Sequence, residues 1–381
     1  MRLSIRIVAA AAMVFTLIVG SPSLADATTS GTAGLSYVAL GDSFASGLGL
    51  SPTTGKPVEG CQQASGDYPH RVAGSLGMSL TDASCSGAVT ANVTGKPQKT
   101  RSRTAPAQLP ALSPKTRVVT LTIGGNDIGF FAIATGCIAL SARGPVLSTG
   151  KSNCRSTYVK NGVDSLAGRI SDTLLNGNGS GTNGLTATFA AVKKAAPLAK
   201  VFVVGYPTIL PNAANTPANG CFRATVTGKD VSALSIDNGL PFTTVDVGYL
   251  NSIEQSLDAA TKAAAETAGF TYISALAATA AHSACASTDQ SYIQGVSLRS
   301  DARLNVTLST GALHPNARGT AFMAGLVGAA VTKAMPAKSA SPAASSASGF
   351  ATSPLPWIAG GGAIVLLAIA LLLAWRRRRS E

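Results

Sequence analysis

The chain has 381 residues, 46% of them hydrophobic and 12% charged, with a formal net charge of +13. The apolar content excludes a disordered chain, and the length supports one large domain with a real core. Arg2, Arg6 and the run Arg376 to Arg379 sit at the ends and leave about +8 for the body, whose basic residues have no interleaved aromatics, so nucleic acid is not an expected partner.

Arg2 and Arg6 precede an apolar run from Ile7 to Val19, and small residues follow at Ser23, Ala25 and Ala27. This pattern predicts a secretory signal peptide over residues 1–27, removed on export. The body, residues 33–335, begins with an apolar run, Tyr37 to Leu40, that reads as a short buried strand. It stops at Gly41-Asp42-Ser43, with Gly47 four residues after the serine. A polar loop over Ser51 to Gly66 leads to a helix, Tyr68 to Leu76, and a second strand, Leu80 to Cys85, which ends in Ser86-Gly87-Ala88. The basic cluster Lys96, Lys99, Arg101 and Arg103 reads as a solvated loop. Val118 to Ile123, β-branched and mostly apolar, is a third strand and ends in Gly124-Gly125-Asn126-Asp127.

Beyond an irregular segment holding Cys137 and Cys154, a helix is expected over Leu185 to Ala196, closed by Pro197. A fourth strand, Val201 to Val204, ends in Gly205-Tyr206-Pro207. A long helix, Val247 to Ala268, has Gly269 as its stop signal, and Phe270 to Ile273 is the fifth strand. Leu313-His314-Pro315-Asn316 then precedes the helix Ala317 to Ala334, which closes the body. Strands alternating with helices imply an α/β fold, with a parallel sheet and right-handed crossovers. The glycine-bearing loops follow strand ends, on the face where such sheets bind ligands.

Residues 336–356 are rich in Ala, Ser and Pro and read as a flexible tether. Residues 357–375 run from Trp357 to Trp375 without a charge, and as a helix would cover ~28 Å, close to a bilayer core. Interfacial tryptophans and the basic tail, residues 376–381, predict a single pass with the body outside the cell. Leu355-Pro356-Trp357 also resembles the start of a sortase signal, but no Thr-Gly follows the proline, which favours retention in the membrane.

The six cysteines, Cys61, Cys85, Cys137, Cys154, Cys221 and Cys285, all fall in the exported body, so three disulfides are expected. Six cysteines allow fifteen connectivities. The sequential one, Cys61–Cys85, Cys137–Cys154 and Cys221–Cys285, is the simplest. There is no C-x-x-C, and the histidines are not at ligand spacing from the cysteines, so no metal site is expected.

Ester hydrolysis needs a nucleophile, a base and donors aimed at the developing oxyanion. The chain has three histidines. His70 sits in a helix as a surface residue and His282 beside a presumed disulfide. His314 precedes a proline, which keeps it out of helical geometry on a loop at the end of the body. Gly41-Asp42-Ser43 with Gly47, Ser86-Gly87, Gly124-Gly125-Asn126-Asp127 and His314-Pro315-Asn316 follow the order of the SGNH (GDSL) hydrolase family. The resemblance covers Leu35 to about Ala334 and, with the six cysteines, is greatest to a secreted bacterial esterase/lipase branch. It implies a three-layer sandwich with a flavodoxin-like parallel sheet of about five strands and a monomeric enzyme that needs no cofactor. It implies Ser43 as nucleophile and His314 as base. The oxyanion donors would be the backbone N–H of Ser43 and Gly87 and the side-chain amide of Asn126. Asp42 and Asp127 would support their turns.

One position departs from the family pattern. Many members place an aspartate three residues before the histidine, where this chain has Gly311. The resemblance then implies a Ser–His dyad, with the Gly311 carbonyl holding the imidazole; a carboxylate from elsewhere, such as Asp301, is the alternative. The Gly-x-Ser-x-Gly elbow of the α/β-hydrolases is absent, Ala45 standing where a glycine would be needed. The expected activity is hydrolysis of lipid-type acyl esters by an enzyme tethered to the outside of the membrane. The alternatives are a deacetylase of polysaccharide or cell-wall glycan and an inert surface binding protein. Transfer of the acyl group to an alcohol is a variant of the same chemistry.

Overall fold

A computed structural model describes residues 31–178, 182–224, 235–300 and 306–336. The stretches expected to form the signal peptide, most of the tether and the membrane span, together with Asp301, lie outside the described residues. Among the described residues no helix is long and apolar enough to cross a membrane.

Five strands form the central sheet: β1 (Ser36–Gly41), β2 (Ser79–Asp82), β3 (Val118–Thr122), β4 (Lys200–Val204) and β5 (Thr271–Ile273). All pairings are parallel, and the order across the sheet is 2-1-3-4-5, the flavodoxin-like arrangement. Alternation along β1 divides its side chains between two faces. Val38 and Leu40 join a core with Val119, Leu121 and Val203. Tyr37 and Ala39 join another with Val118, Phe202 and Val204. The first face is covered by α3 (Gly184–Ala195) and α4 (Thr244–Thr267), the second by α2 (Tyr68–Leu76) and α5 (Ala317–Ala334). A parallel sheet buried on both faces explains why its strands read as continuous apolar runs. Burying one ring such as Phe202 contributes ~1.5–3 kcal/mol. The Tyr37 hydroxyl carried into the core is paired, meeting Thr120 Oγ1 at 2.7 Å.

Each helix end has a local cause. Asp67 caps α2 by accepting from the N–H of His70, Thr243 caps α4, and Asn316 caps α5 by accepting from Arg318 and Gly319. β2 ends sooner than the sequence pattern implies, because the Asp82 carboxylate accepts from the Ser84 N–H and turns the chain out of the sheet. A second, three-stranded antiparallel sheet, built from Ser235–Gly239, Val296–Ser300 and Val306–Leu308, was not anticipated. All six cysteines are bonded, as Cys61–Cys85, Cys137–Cys154 and Cys221–Cys285.

The chain enters at β1, moves outward to β2, then returns to β3 on the other side. The carboxyl ends of β1 and β3 therefore flank the point where the winding reverses, and the crevice there is the expected ligand site of such a sheet.

Candidate active site

Gly41 ends β1 with φ 143°, and a Cβ there would lie 2.5 Å from the Thr122 carbonyl. Only glycine lets β1 and β3 stay this close while the chain turns. Gln108 locks the turn by accepting from the Gly41 N–H at 2.7 Å and donating to its carbonyl at 2.8 Å. Asp42 then caps a single helical turn, α1 (Ser43–Ser46), by accepting from the Phe44 N–H at 2.9 Å. Ser43 is the first residue of that turn and is 7% exposed. Its N–H has no partner among the described residues, as expected at a helix start.

His314 Nε2 lies 2.7 Å from Ser43 Oγ, across 271 residues of sequence. Its Nδ1 lies 2.8 Å from the Ala312 carbonyl, which can only accept. The proton is thus on Nδ1, and Nε2 is left to accept from the serine hydroxyl. The ring is 6% exposed and packs on Phe44, with centroids 4.6 Å apart. Burial lowers its pKa to about 4, opposed by the Ala312 bond. The orienting carbonyl is Ala312 and not Gly311. The Gly311 carbonyl accepts the backbone N–H of His314 at 3.0 Å, and Leu313 adopts φ 61°, a left-handed turn that brings the Ala312 carbonyl round to the ring.

Gly87 follows β2 with φ 84°, and a Cβ there would meet only Gln98 Nε2, at 3.5 Å. The glycine is required by its backbone angle more than by space. Its N–H also lacks a partner among the described residues. Asn126, half-buried after β3, donates from Nδ2 to the Ala88 carbonyl at 3.0 Å, which orients the amide and leaves its second N–H available. The loop before Gly87 is held by the Cys61–Cys85 bond, by Ser46 Oγ to Ser86 Oγ at 2.8 Å, and by Gln98 Nε2 donating to the Ser86 carbonyl at 2.7 Å.

The two acidic residues of the motifs face their own turns. Asp127 accepts from the Thr90 N–H and hydroxyl, and burial raises its pKa to about 6. Asp42 Oδ2 accepts from the Tyr206 hydroxyl at 2.5 Å, and that hydroxyl accepts from the Gly125 N–H at 2.8 Å. Burial raises the Asp42 pKa to about 7, against the Tyr206 bond. Tyr206 thereby joins the turn carrying Ser43 to the turn carrying Asn126. Sequence reasoning noted it as the residue after a strand and gave it no role, since a contact across 164 residues leaves no local signal.

The other two histidines lie elsewhere. His282 stacks on Tyr292 and bonds the Gln290 carbonyl through Nδ1. His70 is half-buried, not a surface residue: its Nδ1 lies 2.8 Å from Asp67 Oδ1 and 3.7 Å from Asp82 Oδ2. Asp67, His70 and Asp82 are the one group among the described residues with ligand atoms close enough to share a cation.

Against this geometry, residues 39–322 match the family model described as GDSL-like lipase/acylhydrolase. The chain belongs to that family. It is a carboxylic ester hydrolase of the GDSL-like lipases. It is 32% identical over 291 residues to Lipase 2 of Streptomyces coelicolor, covering 76% of this chain and 83% of the relative. It is 28% identical to an esterase of Streptomyces scabiei, covering 74% and 81%. Among solved structures it superposes on phospholipase A1 from Streptomyces albidoflavus with a TM-score of 0.54 at 25% identity, covering 79% of this chain and all of that one. An extracellular lipase from Streptomyces rimosus gives 0.53 at 22% identity, over 78% of this chain and 99% of that one, and shares the fold of this GDSL-like lipase.

Proposed function

We propose that this lipase cleaves lipid-type acyl esters through a Ser43–His314 dyad and an acyl-enzyme. His314 Nε2 takes the Ser43 proton as Oγ attacks the ester carbonyl, and returns it to the departing alcohol. Water activated by the same nitrogen then releases the acid. The N–H groups of Ser43 and Gly87 and the Asn126 amide receive the oxyanion, each donor contributing about 10²–10³ in rate. The observation that carries this reading is the 2.7 Å contact between His314 Nε2 and Ser43 Oγ, with Nδ1 tied to the neutral Ala312 carbonyl. A carbonyl fixes the tautomer, but stabilises the imidazolium less than a carboxylate does. A modest turnover is expected.

An apolar cavity of about 180 Å³, lined by Phe44, Phe130, Phe131, Ile209, Leu257 and Leu276, opens beside Ser43 and suits an acyl chain. The organisation that accompanies this reading is a signal over 1–27, a catalytic domain over 33–335, a tether over 336–356 and a membrane span over 357–375. The three disulfides support export to an oxidising compartment. The test is hydrolysis of p-nitrophenyl esters of increasing acyl length, with Ser43→Ala alongside. Activity lost in the variant supports the dyad, and the length profile separates an esterase from a lipase. Activity that survives Ser43→Ala refutes it.

A further inference from the structure

Five buried side-chain oxygens lack a hydrogen-bond partner among the described residues, and three of them belong to one place: Asp67 Oδ2, Asp82 Oδ2 and Ser84 Oγ. Buried polar atoms are nearly always paired, so three orphans together mark a place where a further partner belongs. Asp67 caps α2 and is wholly buried. Its Oδ1 accepts from the His70 N–H and lies 2.8 Å from His70 Nδ1. Asp82 ends β2, and its Oδ1 accepts from the Ser84 N–H. Its side chain is 3% exposed, and the orphan Oδ2 is turned toward the same imidazole nitrogen at 3.7 Å.

One imidazole therefore faces two buried carboxyls, and among the described residues both have their ion pair with His70 alone. Burial raises the pKa of each, and Asp67 raises that of Asp82 further, as in a site short of positive charge. The ligand atoms of the three residues lie within 4.8 Å of one another. Donors about 2.0–2.2 Å from a tetrahedral zinc ion stand ~3.3–3.6 Å apart, so the group is gathered to within ~1 Å of that spacing. One imidazole nitrogen with two carboxylate oxygens is a zinc donor set, whereas calcium and magnesium take oxygen ligands. The His70 side chain is 31% exposed, which gives an ion a way in.

We propose that Asp67, His70 and Asp82 form a structural binding site for a divalent zinc ion. Asp82 supplies Oδ2, Asp67 a carboxylate oxygen and His70 its Nδ1, with water in the fourth position on the exposed side. The Nδ1 proton and any carboxyl proton leave to solvent, and the imidazole keeps its proton on Nε2. Two carboxylates and one divalent ion then cancel in charge. None of the three residues lines either space beside Ser43, so the ion has no part in the chemistry there. Its role is to join the start of α2 to the end of β2. A Cβ on Gly47, which ends α1, would lie 2.8 Å from Asp67 Cβ, so Asp67 packs directly against the turn that carries Ser43. β2 leads through Ser84 and Cys85 to Gly87. One ion thus braces both segments. The sequence shows no metal motif because Asp82 comes from a separate element, 12 residues after His70.

The experiment strips the full-length protein with a chelator, dialyses the chelator away and titrates zinc sulfate by calorimetry in neutral buffer. One zinc ion per chain is expected. With free zinc about 100-fold above its dissociation constant, the thermal midpoint should rise by about 5 °C. Calcium at the same concentration should leave the midpoint unmoved. His70→Ala and Asp82→Asn should each weaken zinc binding by at least about 100-fold, more than the loss of an outer-shell partner costs, and should abolish the rise. His70 is partly exposed and Asp82→Asn removes a buried acid, so both variants should keep the circular dichroism of the metal-free protein. Zinc that fails to bind, which would leave the two carboxyls sharing a proton only, overturns the proposal. So does binding that either variant leaves unchanged, or a midpoint raised by calcium and not by zinc. None of these readouts uses ester cleavage, so the outcome is independent of the dyad.

Discussion

Replacing Tyr206 with Phe removes one oxygen and nothing else. The ring stays packed edge-on against Phe44, with centroids 4.8 Å apart. What is lost is the link between the turn holding Ser43 and the turn holding Asn126. Asp42 Oδ2 loses its 2.5 Å donor and the Gly125 N–H loses its 2.8 Å acceptor. Leaving a buried polar group unpaired costs ~1–3 kcal/mol, and more for a charged one, so two such groups put the expected loss at about 4 kcal/mol. The loss depends on pH. The folded pKa of Asp42 is raised by burial to about 7, above its unfolded value of 3.8, so the stability linked to its protonated form is complete below pH 3.8 and disappears as pH rises through 7. The Tyr206 bond opposes that rise. Without it the carboxyl is harder still to ionise, and the deficit of Tyr206→Phe should be larger at pH 9 than at pH 5. Urea unfolding at both pH values measures this. Activity on p-nitrophenyl butyrate should fall about 10- to 100-fold in kcat, as expected when reacting groups are misplaced by a fraction of an ångström to an ångström. A loss below 1 kcal/mol, or an equal loss at both pH values, would refute the reasoning.

Asn126→Ala should lower kcat by about 10²–10³ with KM nearly unchanged, because in the proposed mechanism its second N–H acts on charge that develops only in the transition state; steady-state kinetics reads the split. The acid limb of kcat/KM should fall near pH 4 and not near 6.5, since burial lowers the His314 pKa and keeps Nε2 an acceptor over that range; a limb at 6.5 in the pH–rate profile would contradict it. Asp82→Asn should stabilise the protein at pH 8 by ~1–3 kcal/mol and not at pH 4. Burial and the neighbouring Asp67 raise the Asp82 pKa well above 3.8, so its stabilising protonated form is lost as pH rises, and an amide would give the unpartnered Asp67 Oδ2 a donor; chemical denaturation at the two pH values tests this.

The turns carrying Ser43 and Asn126 were legible because each follows a strand end marked by glycine, and because strand, turn and cap are local features. Gly41-Asp42-Ser43 and Gly124-Gly125-Asn126-Asp127 follow continuous apolar runs that a parallel sheet requires. The parts that escaped depend on distant contacts or on a backbone turn. Spacing before His314 pointed to Gly311, but the left-handed angle of Leu313 makes Ala312 the partner, and nothing in Gly-Ala-Leu-His encodes that angle. Gln108 and Tyr206 act on residues far away in the chain. His70 reads as an exposed helical residue because its second acidic neighbour, Asp82, arrives from the next strand. The antiparallel sheet was hidden by Ser-Ile-Asp-Asn-Gly, a strand without apolar alternation.

The Cys61–Cys85 bond has a consequence for timing. It joins the loop that follows the nucleophile to the loop that carries Gly87, two residues past Cys85. In a reducing cytoplasm the two thiols would stay apart, and the Gly87 loop would be held by the Ser46 and Gln98 contacts alone. The crosslink that completes the site is formed only where thiols oxidise.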